Sequence, residues 1–362
     1  MSRITGQQSA TPDRPAARVR YVGSFTELSR QVKDSDLLDR RYGWYWSRII
    51  GIVLAYAAVW VAVVIIGDSW WQLVVAGVLA VISAQIGFLG HDAAHRQVFR
   101  SWQWNEWTSR VLSGLFLGLS YGWWDKKHSM HHAAPNQEGI DPDIASGALA
   151  FTPDLARARQ GMGAAFARRQ GWLFFPLLTL EGLNLQLRGV QTVTSRRPLP
   201  QRWAEASLIG VRLVAYPIAL LLLLPPGKAG AFFGLHMALF GVLLGGSFAP
   251  NHKGMPLVPH GMKVDFLRRQ VLMSRNIVGG PLVDFAMGGL NRQIEHHLFP
   301  SMPRPNLRRV QPLVRAHCAK HNVTYTQKTL WQSYRMVIRY LNQVGIGARD
   351  PFDCPLVRRY RG

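Results

Sequence analysis

Apolar residues in this chain gather into two pairs of long runs with little or no charge. Residues 49–66 hold 18 positions without Asp, Glu, Lys or Arg, and residues 70–90 hold another 21, with only Gly67, Asp68 and Ser69 between the two runs. Runs of that length match the hydrocarbon thickness of a bilayer, so the pair reads as a transmembrane hairpin. A second pair follows at residues 203–226, which carry Glu205 and Arg212 in their first half, and at residues 229–250, 22 positions free of those four charged types. The pattern predicts four spans, near 47–66, 70–90, 203–226 and 229–250, with polar regions at 91–202 and 251–350.

Two shorter runs do not qualify. Residues 111–124 are only 14 long, and residues 172–190 are broken by Pro176, Glu181, Asn184 and Arg188. In the second, Glu181, Asn184, Arg188 and Gln191 recur at helical spacing beside a stripe of Leu180, Leu183, Leu187 and Val190, the pattern of a helix lying in the interface or in the soluble layer. Beyond Pro305, Leu307, Val310 and Val314 predict one helix. Leu330, Trp331, Tyr334, Val337, Ile338 and Leu341 predict another that ends near Gly345. Residues 1–24 are rich in Pro, Ser and Arg and lack an apolar core, so they read as an unordered tail and not a signal peptide. Residues 25–350 then form one domain, and 351–362 a C-terminal tail.

Charge orients this arrangement. The chain has 42 Lys and Arg against 20 Asp and Glu. The short turns between paired spans hold Asp68 and Lys228, so apart from Lys228 and the in-span Arg212 every basic residue falls on the other side. By the positive-inside rule both termini, the long loop and the C-terminal region face the cytoplasm, which places the chain as a multi-pass protein of the cell's inner (plasma) membrane. Topology and anionic lipid also account for the net charge of +22 without nucleic acid. Composition agrees, with 48% hydrophobic residues and 13 Trp. Cys318 and Cys354 are too few for a thiolate cluster. Within the third span, Arg212 is expected to snorkel to the interface, and His236, alone in the middle of the fourth span, to hydrogen-bond between helices.

The chemistry lies in the histidines. Of 12, eight fall into four places: His91 and His95 in HDAAH, His128, His131 and His132 in HSMHH, His252 in NHKG, and His296 and His297 in QIEHH. His236, His260, His317 and His321 stand outside. Spacings of three and four put the imidazoles of each box on one side of a helical turn, with Gln293 filling the first position of the third box. An even number of crossings puts all four places on one face of the membrane. Eight neutral imidazoles exceed one tetrahedral zinc and suit iron, copper, nickel or zinc, and the count fits two ions. Neither Glu-x-x-His nor H-E-x-x-H occurs, which removes the ferritin-like and zincin readings.

HDAAH, HSMHH and QIEHHLFPSMPR, with FAPNHKGMP after the fourth span, resemble the membrane-bound fatty acid desaturase family over roughly residues 40–345. The resemblance implies an all-α integral membrane protein in which four transmembrane helices carry a cytoplasmic helical cap around a histidine-rich di-iron site. It implies His91, His95, His128, His131, His132, His296 and His297 as iron ligands and His252 as the eighth. Gln293 is similar to the variant of front-end desaturases of the delta-6 or linoleoyl-CoA type, and the resemblance leaves open whether it binds metal or orients a neighbour. By the same resemblance Asn251 is expected to hold a metal-bound water, with the end of a helix as its other reading. Asp92, Asp141, Asp143 and Glu295 flank the boxes as candidate acceptors for ligand N–H groups, with a turn or cap as the other reading of Asp141 and Asp143. Trp123 and Trp124 either line the acyl path or anchor the interface.

The implied reaction is an O2-dependent desaturation that puts a cis double bond, front-end (delta-6) or delta-9, into an acyl-CoA or membrane lipid. Breaking an unactivated C–H bond calls for the strong oxidant that iron supplies from O2 and two electrons, while the protein positions the chain away from water. The 362 residues contain no G-x-G-x-x-G, no cluster-forming thiolates and no His-Pro-Gly-Gly of a cytochrome b5. Electrons are therefore expected from an external donor: a ferredoxin, a flavin/iron–sulfur reductase or a cytochrome b5-like protein. The rival in the same superfamily is a di-iron hydroxylase or ketolase acting on a lipid, alkane or carotenoid, which adds sixteen mass units where desaturation removes two. A metal transporter would place its ligands near the bilayer midplane, and these flank the spans.

Overall fold

The computed structural model describes residues 16–347. Sixteen α-helices follow in chain order: α1 (Ala16–Asp34), α2 (Tyr42–Ile66), α3 (Gln72–Ala94), α4 (Trp102–Val111), α5 (Tyr121–Ala133), α6 (Pro153–Arg157), α7 (Gly161–Ala167), α8 (Gln170–Leu178), α9 (Glu181–Thr194), α10 (Arg202–Leu223), α11 (Pro226–His252), α12 (Phe266–Leu272), α13 (Pro281–Ala286), α14 (Gln293–Leu298), α15 (Arg304–Lys320) and α16 (Leu330–Gly345). A π-helical turn, Leu112–Leu117, continues α4. Two three-residue strands, β1 (Asn276–Val278) and β2 (Gln327–Thr329), pair in parallel.

Among the described residues four helices are long and apolar enough to cross a membrane: α2, α3, α10 and α11. They bear bare apolar faces, with Leu54, Val61 and Ile65 of α2 and Val214, Leu221 and Leu222 of α10 all exposed, as a lipid-facing surface requires. α3 is the inner span, more than half buried over its apolar stretch, whereas α2 is about one-tenth buried. The far ends of all four spans meet in one cluster that includes Val63, Val75, Ala76, Leu220 and Phe232. Gly67, at φ +57°, turns the first hairpin, and Gln72 Nε2 closes it by donating to the Val63 and Gly67 carbonyls at 2.8 and 2.9 Å. Asp68 pairs with Lys228 at 2.5 Å and ties the two hairpin turns together.

Neither shorter apolar run spans. The first becomes the π-helical turn and the start of α5, and the second splits into α8 and α9. α9 lies against α11 through Gly182, where an added Cβ would stand 2.8 Å from the Met237 carbonyl, and exposes Leu180, Leu183 and Leu187. The C-terminal helices are as expected, and α16 starts with a Thr329–Gln332 capping box. Of the tail expected to be unordered, residues 1–15 lie outside the described residues. The remainder is helical, because α1 begins at Ala16 and continues into a face that packs Leu28 and Val32 against Leu267, Val310 and Val314. Residues 351–362, with Cys354, lie outside the described residues.

Arg212 differs from the expectation. It does not snorkel: it is buried, and its guanidinium carbon stands 3.7 Å from the centre of the Tyr216 ring one turn along α10. A flat, weakly hydrated cation stacks on an aromatic face at little cost, so the charge stays inside. His236 does bond between helices, to Ser83 of α3 at 3.0 Å and to Tyr216 of α10 at 2.7 Å.

Glu205, the other in-span charge, anchors the polar layer to the spans. From the first turn of α10 its carboxylate accepts from Arg110 Nε (3.3 Å), Ser120 Oγ (2.6 Å) and the Gly122 amide (3.0 Å). Ser120 is also the N-cap of α5, the helix of the second histidine box. Removing the carboxylate orphans a buried hydroxyl and amide together. Glu205→Ala is therefore expected to cost at least about 2 kcal/mol, read as a fall in the thermal midpoint of detergent-solubilised protein, with Glu106→Ala, at the solvent-facing side of Arg110, costing less.

Candidate metal centre

Each histidine box sits where a helix end delivers it. α3 continues past its apolar stretch as far as Ala94, so His91 occupies its last turn and His95 caps it. α5 carries His128, His131 and His132; His252 is the last residue of α11; and the six-residue α14 carries His296 and His297. Four chain segments far apart in sequence thus bring eight imidazoles to one side of the four spans.

They form two groups. Ligand-capable nitrogens of His91, His95, His128, His132 and His296 lie within 4.8 Å of one another, and so do those of His131, His252 and His297. Within the first, His128 Nε2 is 3.2 Å from His91 Nε2 and 3.0 Å from His132 Nε2. Within the second, the Nε2 atoms of His131 and His252 are 3.4 Å apart. The His132 and His297 rings stack at 4.2 Å and join the groups. Nitrogens bound to one first-row ion at about 2.0–2.1 Å, with angles of about 90–110°, stand about 2.9–3.4 Å apart, and the observed spacings match. His95 Nε2, His296 Nε2 and His297 Nε2 are buried with no hydrogen-bond partner. Buried polar atoms left in that condition are costly unless something else binds them, and the donor set fits two metal ions.

Burial pushes His128, His132, His296 and His297 well below the ordinary imidazole range, and the neighbouring imidazoles push the same way. The lone pairs are therefore free for a cation at neutral pH.

The same residues decide the family. The family model for fatty acid desaturases matches residues 68–329, which include all four places. The chain belongs to the fatty acid desaturase family. It is 30% identical over 325 residues to the acyl-lipid (9-3)-desaturase of Physcomitrium patens, covering 84% of this chain and 56% of that protein. It is 30% identical to fatty acid desaturase 3 of Bos taurus (90% of this chain, 73% of that one) and 28% identical to a Delta(6)-fatty-acid desaturase of Caenorhabditis elegans (91% and 76%). The chain thus spans little more than half of the moss protein.

Around the histidines of this family member, the carboxylates divide by role. Asp141 is held against His131 Nδ1 at 3.0 Å and also accepts the Asn136 and Asp143 amides, so it is both an acceptor for a ring N–H and the cap of a short 3-10 turn. Burial is the largest single influence and raises its pKa, but the His131 hydrogen bond together with the charges of His131 and Lys253 leaves the carboxyl below its usual value. Asp143 pairs with Lys127 and is 3.6 Å from the same ring nitrogen. Asp92 and Glu295, also expected to accept from ring N–H groups, are engaged elsewhere. Asp92 lies 3.8 Å from His91 Nδ1, beyond hydrogen-bond reach, and pairs with Arg304 at 2.6 Å. Glu295 accepts from Tyr325 Oη (2.5 Å) and Asn276 Nδ2 (2.7 Å), which ties α14 to β1 and to the segment before β2 and engages no imidazole.

Gln293 Nε2 is 3.0 Å from His252 Nε2, and its Oε1 accepts from Asn251 Nδ2 at 3.3 Å. The amide thus stands beside the three-histidine group. Asn251 spends its NH2 on the Ser247 and Leu290 carbonyls as well, which leaves Oδ1 buried and without a partner. Trp124 stacks on His128 at 4.3 Å and is part of the site wall. Trp123 joins the apolar cluster of Leu117, Leu119, Leu185 and Phe240.

Two supports carry no sequence signal at all. Gln270 of α12 accepts at Oε1 from His297 Nδ1 (2.9 Å) and donates from Nε2 to the His132 carbonyl (2.9 Å), joining the second box to the third. The Met273 carbonyl takes His252 Nδ1–H at 3.1 Å. Arg304 could have been suspected, because it closes the QIEHHLFPSMPR motif.

Removing an acceptor that orients a ligand costs about 10–100-fold in metal affinity. Asp141→Asn and Gln270→Ala are each expected to fall in that range by competitive chelator titration, with Asp143→Asn closer to wild type. Acid should also unfold the chelator-treated chain early. Burial holds His95 down to about 3, so below the ordinary value of 6.5 the unfolded chain binds the proton first. Stability is then intact above pH 6.5 and lost progressively below it. The measurement is a thermal midpoint flat between pH 7 and 8 and falling from 6.5 downward.

Proposed function

We propose that this chain is an O2-dependent acyl desaturase whose two histidine groups hold two iron ions: His91, His95, His128, His132 and His296 around one, and His131, His252 and His297 around the other. The observation that carries this reading is the convergence of eight imidazoles, several with orphaned buried nitrogens, on one side of four apolar helices. When bound, the iron pair supplies from O2 and two electrons the oxidant that removes two hydrogens from adjacent methylenes, leaving a cis double bond and two waters.

The chain's own residues do the rest. Asp141, Gln270 and the Met273 carbonyl fix which nitrogen of His131, His297 and His252 faces inward. The substrate of this reading is the acyl chain of an acyl-CoA or membrane lipid, which has to meet the histidines where water is excluded. Gln293 in place of a histidine, together with relatives named for delta-6 and delta-8 positions, supports front-end regiochemistry. The surplus of Lys and Arg over Asp and Glu supports a cytoplasmic site in the inner membrane. It also supports an acidic external donor, a ferredoxin or an iron–sulfur or cytochrome b5-like protein, whose productive encounter weakens with salt.

The deciding experiment is a fatty-acid profile of a bacterial host expressing the chain with a ferredoxin and its reductase. New species two mass units lighter with a delta-6 bond are expected. A delta-9 bond would remove the front-end reading, and products sixteen units heavier would move the chain to the hydroxylases. His132→Ala and His297→Ala are expected to abolish turnover and lower iron content at unchanged expression, and full activity in either would break the ligand assignment. Gln293→His tests the amide: added iron affinity with altered bond position supports a role at the second ion.

A further inference from the structure

Outside the two histidine groups, a third set of ligand-type atoms has gathered where α1 meets the end of α15. Glu27 of α1, His317 of α15 and His321, which caps α15, bring one oxygen and two nitrogens within 4.8 Å of one another. His317 and His321 are four apart, so they share a helix face, and their rings are 4.4 Å apart. Glu27 divides its carboxylate: Oε1 takes Lys320 at 2.6 Å, and Oε2 faces His321 Nε2 at 3.5 Å, too long for a hydrogen bond.

His317 makes the cluster more than an ion pair. It is 4% exposed, and its Nε2 is buried with no hydrogen-bond partner, as is that of His321. The ring is not loose, because it hydrogen-bonds the Ser24 backbone; with Nε2 unpartnered, that bond falls to Nδ1. Ser24 and Glu27 are three apart on α1, so one face of that helix both orients the imidazole and supplies the carboxylate. A ring held through Nδ1 with a bare, buried Nε2, beside a second imidazole and a carboxylate, is the usual arrangement of a metal-ligating histidine.

The geometry points to a third metal site, formed by Glu27, His317 and His321, that takes a divalent first-row ion of the zinc class. Two imidazoles and one carboxylate are a zinc donor set. Glu27 and His321 are partly exposed, which leaves an entry path and room for water as a fourth ligand. The bound ion would staple α1 to α15. The site stands whether or not the two larger groups hold iron.

The test is zinc titration of the purified full-length protein, with zinc and iron counted in the same samples by mass spectrometry and the thermal midpoint followed in parallel. Wild type is expected to take up one zinc per chain beyond its other metal, with iron unchanged and the midpoint raised. Glu27→Gln and His317→Ala are expected to weaken that uptake tenfold or more, to abolish the zinc-dependent rise, and to leave iron content and desaturation as in wild type. Should the buried His317 prove necessary for folding, His321→Ala at its partly exposed position gives the same reading. Zinc uptake that is equal in these variants, that occurs only as iron is lost, or that disappears in His132→Ala and not in His317→Ala would overturn the proposal.

Discussion

Eight imidazoles kept neutral within a few ångströms of one another, away from water, are the constraint on which this structure is built. Left to themselves they repel protons and leave nitrogens unsatisfied, a state that only a rigid surround can hold. The surround comes from opposite directions. The spans bring His91, His95 and His252 up from the membrane side, and α14 brings His296 and His297 down from the cap. The second box lies between, fixed by Glu205 at its start and by Asp141 and Gln270 at its end. Each of these supports spends a polar contact on position alone.

The spans and boxes were legible because lipid and metal impose simple rules on sequence: long uncharged runs, and imidazoles three and four apart. Helix ends were less so. α3 outlasts its apolar run because backbone hydrogen bonding continues through HDAA regardless of polarity. The inward course of Arg212 depended on Tyr216 four residues away, a pairing that hydropathy does not weigh. Gln270 stayed hidden for a different reason: its partners are more than a hundred residues upstream at His132 and 27 downstream at His297, and its own neighbourhood resembles any short amphipathic helix. Asp92 and Glu295 show the reverse case, in which adjacency to a ligand pointed to a role that Arg304 and Tyr325 had already claimed.

The two histidine groups are not alike. One has five imidazoles, and the other has three with Gln293 and Asn251 alongside. Two ions held there would be inequivalent, the second in a weaker nitrogen field with an amide that can turn either atom toward it.

α3 adds a mechanical dimension. It is one unbroken helix from the far-side turn to His91, rising about 1.5 Å per residue, and its other end is tied through Gln72 to the first hairpin. A change in bilayer thickness that tilted this rod would carry His91 and His95 with it and, through the Arg304–Asp92 pair, load the start of α15. The product of a desaturase is itself a determinant of membrane thickness and order. A site built on the end of such a rod would be exposed to the physical state of the bilayer around the four helices.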